Sequence, residues 1–219
     1  MSEGKAAGRE VEIQTDAGPT YGNLAVPEQP DGVVLFAHGS GSGRHSPRNN
    51  FVAEVLREAG FATLLMDLLT EQEERVDMVT REHRFDIDLL GGRLVTATRW
   101  LREEAEVGGL DVGFFGSSTG AAAAMVGAVQ VDDIRAIVSR GGRVDLAGDA
   151  IGQLRTPILL IVGGNDVQVL ELNRQTMEKI PAETELEVVA GAGHLFEEPG
   201  KLEEVANLAA DFFSRHLGQ

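Results

Sequence analysis

The sequence predicts an α/β protein: a mostly parallel central sheet of about seven to eight strands, its first hairpin antiparallel, with helices on both faces. Three observations lead there. From Val33 onward, short apolar runs alternate with longer segments whose apolar residues recur at helical spacing. Gly116-Ser117-Ser118-Thr119-Gly120 sits where one such run, Asp111 to Phe115, gives way to the alanine-rich Ala121–Val126, so a strand, a sharp turn and a helix follow in succession. The length of 219 residues, 42% of them apolar, suits one domain over residues 1–219 with a real core.

In chain order, Val11–Thr15 and Tyr21–Val26 read as a hairpin around Ala17-Gly18-Pro19, with Pro27 and Pro30 punctuating the exit. Strands are expected near Val33–Ala37, Ala62–Met66, Val112–Phe115, Ile134–Ser139, Ile158–Val162 and Glu185–Val189. Val52, Val55, Leu56 and Ala59 form one helical stripe, with Asn49 or Asn50 as its N-cap and Gly60 as its terminator. Leu90, Leu94, Ala97 and Leu101 form a second, and Leu202, Val205, Ala206, Ala209, Phe212 and Phe213 a third. Right-handed crossovers would bring the strand ends to one rim, where ligands bind in open α/β sheets. Leu68–Arg84 breaks the rhythm: it is long and charged, and it reads as a solvated connection with a short helix, a lid over the rim being the alternative.

The turn at Ser118 would push its hydroxyl above the sheet edge, and the flanking glycines would avoid Cβ clashes with neighbouring backbone. A serine hydroxyl attacks poorly until a base takes its proton. Asp166 follows Ile158–Val162 in Gly163-Gly164-Asn165-Asp166, and His194 follows Glu185–Val189 in Gly191-Ala192-Gly193-His194, so both leave strand ends expected on the same rim. His38-Gly39-Ser40-Gly41-Ser42-Gly43 follows Val33–Ala37, and a small glycine-rich loop lets backbone N–H groups face a developing oxyanion. The expected donors are the N–H groups of Ser40 and Thr119; losing one such donor typically costs about 3 kcal/mol of transition-state stabilisation.

Other residues compete for these roles. Asp145, after Arg140-Gly141-Gly142-Arg143, is a rival acid, but Asp166 lies closer to its strand end. Arg140 and Arg143 could hold a substrate carboxylate as a guanidinium fork does; in so acidic a chain, ion pairs with loop carboxylates are the expected arrangement. His38 is expected to bond neighbouring backbone, and His45, His83 and His216 have no motif around them. No histidine pair has zinc-ligand spacing, and Gly39–Gly43 matches neither a dinucleotide fingerprint nor a P-loop, so neither a metal nor a cofactor is expected.

Composition sets further bounds. A formal net charge of −16 argues against nucleic acid and anionic membrane surfaces. The absence of cysteine excludes disulfides, thiolate metal sites and a thiol nucleophile, and suits a reducing compartment. Met1 to Glu10 lack the apolar core of a signal peptide, and no apolar run approaches the length of a membrane span. A cytoplasmic protein, monomer or homodimer, acting on a small molecule is the expectation.

Four segments together resemble the α/β-hydrolase superfamily, and within it the dienelactone-hydrolase-like small esterases: Phe36–Ser42, Gly113–Gly120, Val162–Asp166 and Gly193–Gly200. The chain order Ser, Asp, His is that of α/β-hydrolases rather than of chymotrypsin or subtilisin. The resemblance implies a serine esterase: Ser118 as nucleophile, His194 as base, Asp166 orienting the imidazole, and small esters cleaved through an acyl-enzyme. Dienelactone hydrolase proper uses a cysteine, which this chain lacks, so the resemblance speaks for ester chemistry and not for dienelactone as substrate. The alternatives are an engineered or catalytically weak scaffold of this fold, or a non-catalytic binding module of the same fold.

Overall fold

The computed structural model describes residues 8–218, so most of the N-terminal stretch read for a leader lies outside the described residues. β1 (Arg9–Thr15) and β2 (Gly18–Ala25) make the antiparallel hairpin. Its turn is Asp16-Ala17, with Thr15 opposite Gly18, so Gly18 and Pro19 belong to the second strand and not to the loop expected around them. Pro19 is tolerated there because it lies beyond the stretch of β2 that the next strand pairs, Gly22–Ala25.

β3 (Gly32–Ala37), β4 (Phe61–Met66), β5 (Val112–Ser117), β6 (Ile134–Arg140), β7 (Ile158–Gly163) and β8 (Thr184–Val189) complete an eight-stranded sheet in the order β1-β2-β4-β3-β5-β6-β7-β8. β2 meets β4 antiparallel, and every pairing from β4 across to β8 is parallel. The expected sheet is therefore present, with each strand's ends within two residues of their predicted positions except the start of β2, which lies three residues earlier.

The helices are α1 (Pro47–Glu58), α2 (Glu71–Thr80), α3 (Ile87–Glu103), α4 (Thr119–Ala128), the short α5 (Ala150–Gln153), α6 (Val167–Met177) and α7 (Lys201–His216). None is long and apolar enough to cross a membrane. Strand periodicity divides the core in two. Val33, Leu35 and Ala37 join the apolar faces of α3 and α4, while Val34 and Phe36 join those of α1 and α7. Phe36 and Phe115, ring centroids 4.9 Å apart, anchor the second layer with Phe212 and Phe213; each such ring contributes roughly 1.5–3 kcal/mol on burial.

The α1 cap differs from expectation. α1 begins with Ser46, whose hydroxyl accepts from Asn49 N–H at 3.4 Å, because Pro47 fills the first helical position with its φ already set; Asn49 is thereby turned inward and buried. α2 starts with a capping box, Thr70 Oγ1 accepting from Glu73 N–H and Glu73 Oε2 from Thr70 N–H at 2.8 Å. Leu68–Arg84 is thus a tethered helix. Asp77 accepts from Arg84 N–H at 2.9 Å and Nε at 2.6 Å. Burial would raise the Asp77 pKa, but these bonds outweigh it and hold the carboxyl below its ordinary value.

The parallel strands release all their following loops at one sheet edge. The order in which strands are added reverses at β3, since β4 lies on one side of β3 and β5 on the other. The crevice beside such a reversal is where open α/β sheets bind ligands, and it is flanked by the glycine loop after β3 and by Ser118 after β5.

Candidate active site

Ser118 stands between β5 and α4 with φ +51° and ψ −119°, a conformation rarely adopted by a non-glycine residue and costing about 1–3 kcal/mol. Its surroundings hold it there. Ser118 N–H donates to Arg140 C=O at 3.2 Å, and its own carbonyl accepts from Ala121 N–H at 3.1 Å and Arg143 N–H at 3.0 Å. The flanking glycines are required by close approach: a Cβ on Gly116 would lie 2.5 Å from Ala121 Cα, and one on Gly120 would lie 2.2 Å from the carbonyl oxygen of Ala37. Ser117 has a separate task, its buried hydroxyl donating to Asn49 Oδ1 at 3.0 Å.

Asp166 and His194 meet. Asp166 Oδ2 lies 2.6 Å from His194 Nδ1, with 15% of the aspartate side chain and 38% of the imidazole exposed. They meet because their loops are bonded to each other: Gly164 N–H donates to Val189 C=O at 2.9 Å, Asn165 N–H to Ala192 C=O at 2.9 Å, and Asn165 Nδ2 to Gly191 C=O at 3.0 Å. Against a carboxylate, Nδ1 carries the proton, which leaves Nε2 as the acceptor. The ring lies over Gly141, whose Cβ position is 3.5 Å from its Cε1 and Nδ1. Gly141 follows the residue that takes the Ser118 N–H, so serine and imidazole flank one short stretch of backbone. Among the described residues, Ser118 Oγ makes no hydrogen bond. Glu198, not singled out by the sequence, accepts from Gly193 N–H at 2.9 Å and holds the peptide before His194; its place four residues after His194 was the only available signal.

The glycine loop lies against the serine, a Cβ on Gly39 falling 3.2 Å from Ser118 Cβ. Gly39–Ser42 is a turn closed by Ser42 N–H to Gly39 C=O at 3.1 Å. Ser40 N–H, expected to face an oxyanion, donates in this structure to Thr119 Oγ1 at 3.0 Å. Thr119 opens α4, where the first helical N–H groups lack intrahelical acceptors. His38 is structural, as expected. Leu68 N–H can only donate, so His38 Nε2 accepts it at 3.0 Å and Nδ1–H donates to Gly39 C=O at 2.9 Å. Burial pushes this imidazole below its ordinary pKa, against the opposing pull of the Gly39 bond. The loop's far side is held by Asp67, which accepts from Arg44 N–H at 2.8 Å and Nη1 at 2.6 Å. A cleft of about 800 Å³ adjoins it, bordered by Tyr21, His38, Gly43, His45, Glu71 and Glu74.

The two arginines on the rim part company. Arg143 makes the expected ion pair, two bonds of 2.9 and 2.8 Å to Asp145, while His194 meets Asp166. Arg140 makes none. It is 7% exposed with Nη1 unbonded, and burial, with a smaller contribution from the like charge of Arg48, pushes its pKa down to about 10. Among the described residues, no cluster of histidines and carboxylates could hold a metal ion.

The sequence profile of the Dienelactone hydrolase family matches residues 21–218. The chain belongs to the dienelactone hydrolase family. A dienelactone hydrolase from Anabaena variabilis ATCC 29413 is 48% identical and superposes with a TM-score of 0.95, covering 97% of this chain and 99% of that one. Est1E from Butyrivibrio proteoclasticus shares the fold at 16% identity, with a TM-score of 0.78 over 94% of this chain and 98% of its own. A Mycobacterium tuberculosis protein named "Putative phosphoribosyl transferase" is 57% identical over 212 residues, 95% of this chain but 47% of that protein. This family member thus spans about half the length of the curated relative it matches.

Proposed function

We propose that this dienelactone hydrolase family member is a serine hydrolase that cleaves small carboxylic esters. His194 Nε2 takes the Ser118 proton as Oγ attacks the carbonyl carbon. Asp166 holds the imidazole in the required tautomer and stabilises its cation. Thr119 N–H and the glycine loop hold the oxyanion, which competes with Thr119 Oγ1 for Ser40 N–H. The tetrahedral intermediate collapses as its C–O bond to the alcohol breaks, the alcohol leaving with the proton from His194 to give the acyl-enzyme; a water activated by the same ring then releases the acid and restores Ser118.

The observation that carries this reading is the 2.6 Å contact between Asp166 and His194, placed over Gly141 beside a serine whose backbone is held at positive φ. A misaligned binding module has no use for an imidazole whose tautomer is set by a carboxylate. The transferase name of the mycobacterial relative describes a protein about twice as long, and we assign that chemistry to the portion this chain does not match. A fluorophosphonate probe tests the reading: mass spectrometry should locate it on Ser118, and Ser118→Ala should abolish labelling. A folded wild-type protein that takes up no probe would refute the assignment.

A further inference from the structure

We propose that Arg140 and Arg48 form a subsite for a compact oxyanionic group, carboxylate or phosphate, carried by the substrate of Ser118; this rests on the hydrolase reading above. The chain has 35 acidic residues against 19 lysines and arginines, and a buried arginine without an acid stands out among them. Arg44, Arg84, Arg93 and Arg143 all have one. Arg140, though more than nine-tenths buried, makes no side-chain hydrogen bond or ion pair among the described residues.

Its position explains what it could serve. Arg140 is the register partner of Ser117 across β5 and β6, and partners in register present their side chains to the same face. Ser117 Oγ bonds Asn49 in the first turn of α1, so Arg140 shares that face with the helix start. Arg48 stands one residue before Asn49, and its like charge adds to burial in lowering the Arg140 pKa. Its Nε is also buried and unbonded, while Nη1 meets the exposed Glu197 at 3.0 Å. The first turn of this 12-residue helix contains no acidic side chain, so its positive end is uncompensated. Of the two guanidiniums beside this helix N-terminus, Arg48 has only the exposed Glu197 and Arg140 has no acid among the described residues, an arrangement that a bound anion would complete. The Arg140 carbonyl accepts the Ser118 N–H, so the backbone that carries this guanidinium adjoins the proposed nucleophile.

Titration calorimetry with glutarate and with inorganic phosphate reads the subsite without turnover and tells the two chemistries apart. At least one should bind, and Arg140→Gln should weaken it by roughly 10–100-fold, the worth of charged hydrogen bonds. Arg48→Gln, at a side chain about one-third exposed, should repeat the loss if Arg140→Gln fails to fold. Arg135→Gln removes the same charge at the other end of β6 and should change nothing. If glutarate binds, the ratio of kcat/KM for 4-nitrophenyl hydrogen glutarate to that for its methyl ester should exceed ten and collapse in Arg140→Gln. If phosphate binds, it should inhibit the methyl ester competitively. Binding of neither anion, or binding indifferent to both variants, overturns the subsite. Loss of all ester turnover with anion binding intact overturns only the hydrolase reading.

Discussion

The Ser117 hydroxyl donates to Asn49 Oδ1 at 3.0 Å inside the protein, joining the end of β5 to the first turn of α1. Ser117→Ala leaves that amide oxygen buried and unbonded. A loss of about 1–3 kcal/mol is expected, read as a lower urea midpoint at unchanged m-value. An unchanged midpoint would mean that the α1 start is held by other contacts.

The backbone at Ser118 stores strain that glycine would relieve. Ser118→Gly should raise the melting temperature, by an amount reflecting part of the roughly 1–3 kcal/mol of strain, and should abolish ester hydrolysis. Ser118→Ala should abolish hydrolysis without the same stabilisation, because alanine keeps the Cβ that makes positive φ unfavourable. Equal melting temperatures for the two variants would show that the turn is relaxed.

His38 links pH to stability. Its folded pKa lies below the ordinary histidine value of 6.5 because burial disfavours the charged ring, outweighing the Gly39 C=O bond that would favour it. The unfolded chain therefore binds the proton more readily. The stabilisation is fully present above about pH 6.5 and declines as pH falls from there toward the folded value, with a limiting slope of about 1.4 kcal/mol per unit. Asp77 acts in the same direction, but only below the ordinary carboxyl range. Urea midpoints between pH 7.5 and 5 should fall in the wild type and flatten in His38→Gln. Parallel curves would remove His38 from the account.

Much of the architecture could be read along the chain because the inner strands are continuous apolar runs: β3, β4 and β7 are buried at every position. The errors arise where a local signal had two readings. Gly18-Pro19 looks like a turn, yet the register puts Asp16-Ala17 there. Asn49 looks like a cap, yet Ser46 and Pro47 start the helix sooner and send Asn49 inward. At the candidate site, the adjacency of the Asp166 and His194 loops follows from strand order. The engagement of Ser40 N–H by Thr119 does not, since it depends on which way one hydroxyl turns across 79 residues of sequence separation. Arg140 and Arg143 look alike in the chain; only Asp145 within reach of one of them separates their roles.

The loops carrying Asp166 and His194 are bonded to each other, while Ser118 is fixed by β6 and the Arg143 backbone. The Asp166–His194 pair and Ser118 are therefore held by separate sets of hydrogen bonds, although both adjoin Arg140-Gly141. Exchange of the atom at position 118, oxygen for sulfur, leaves the couple's own bonds untouched, which gives a physical route by which one scaffold can host alcohol and thiol chemistry in different descendants.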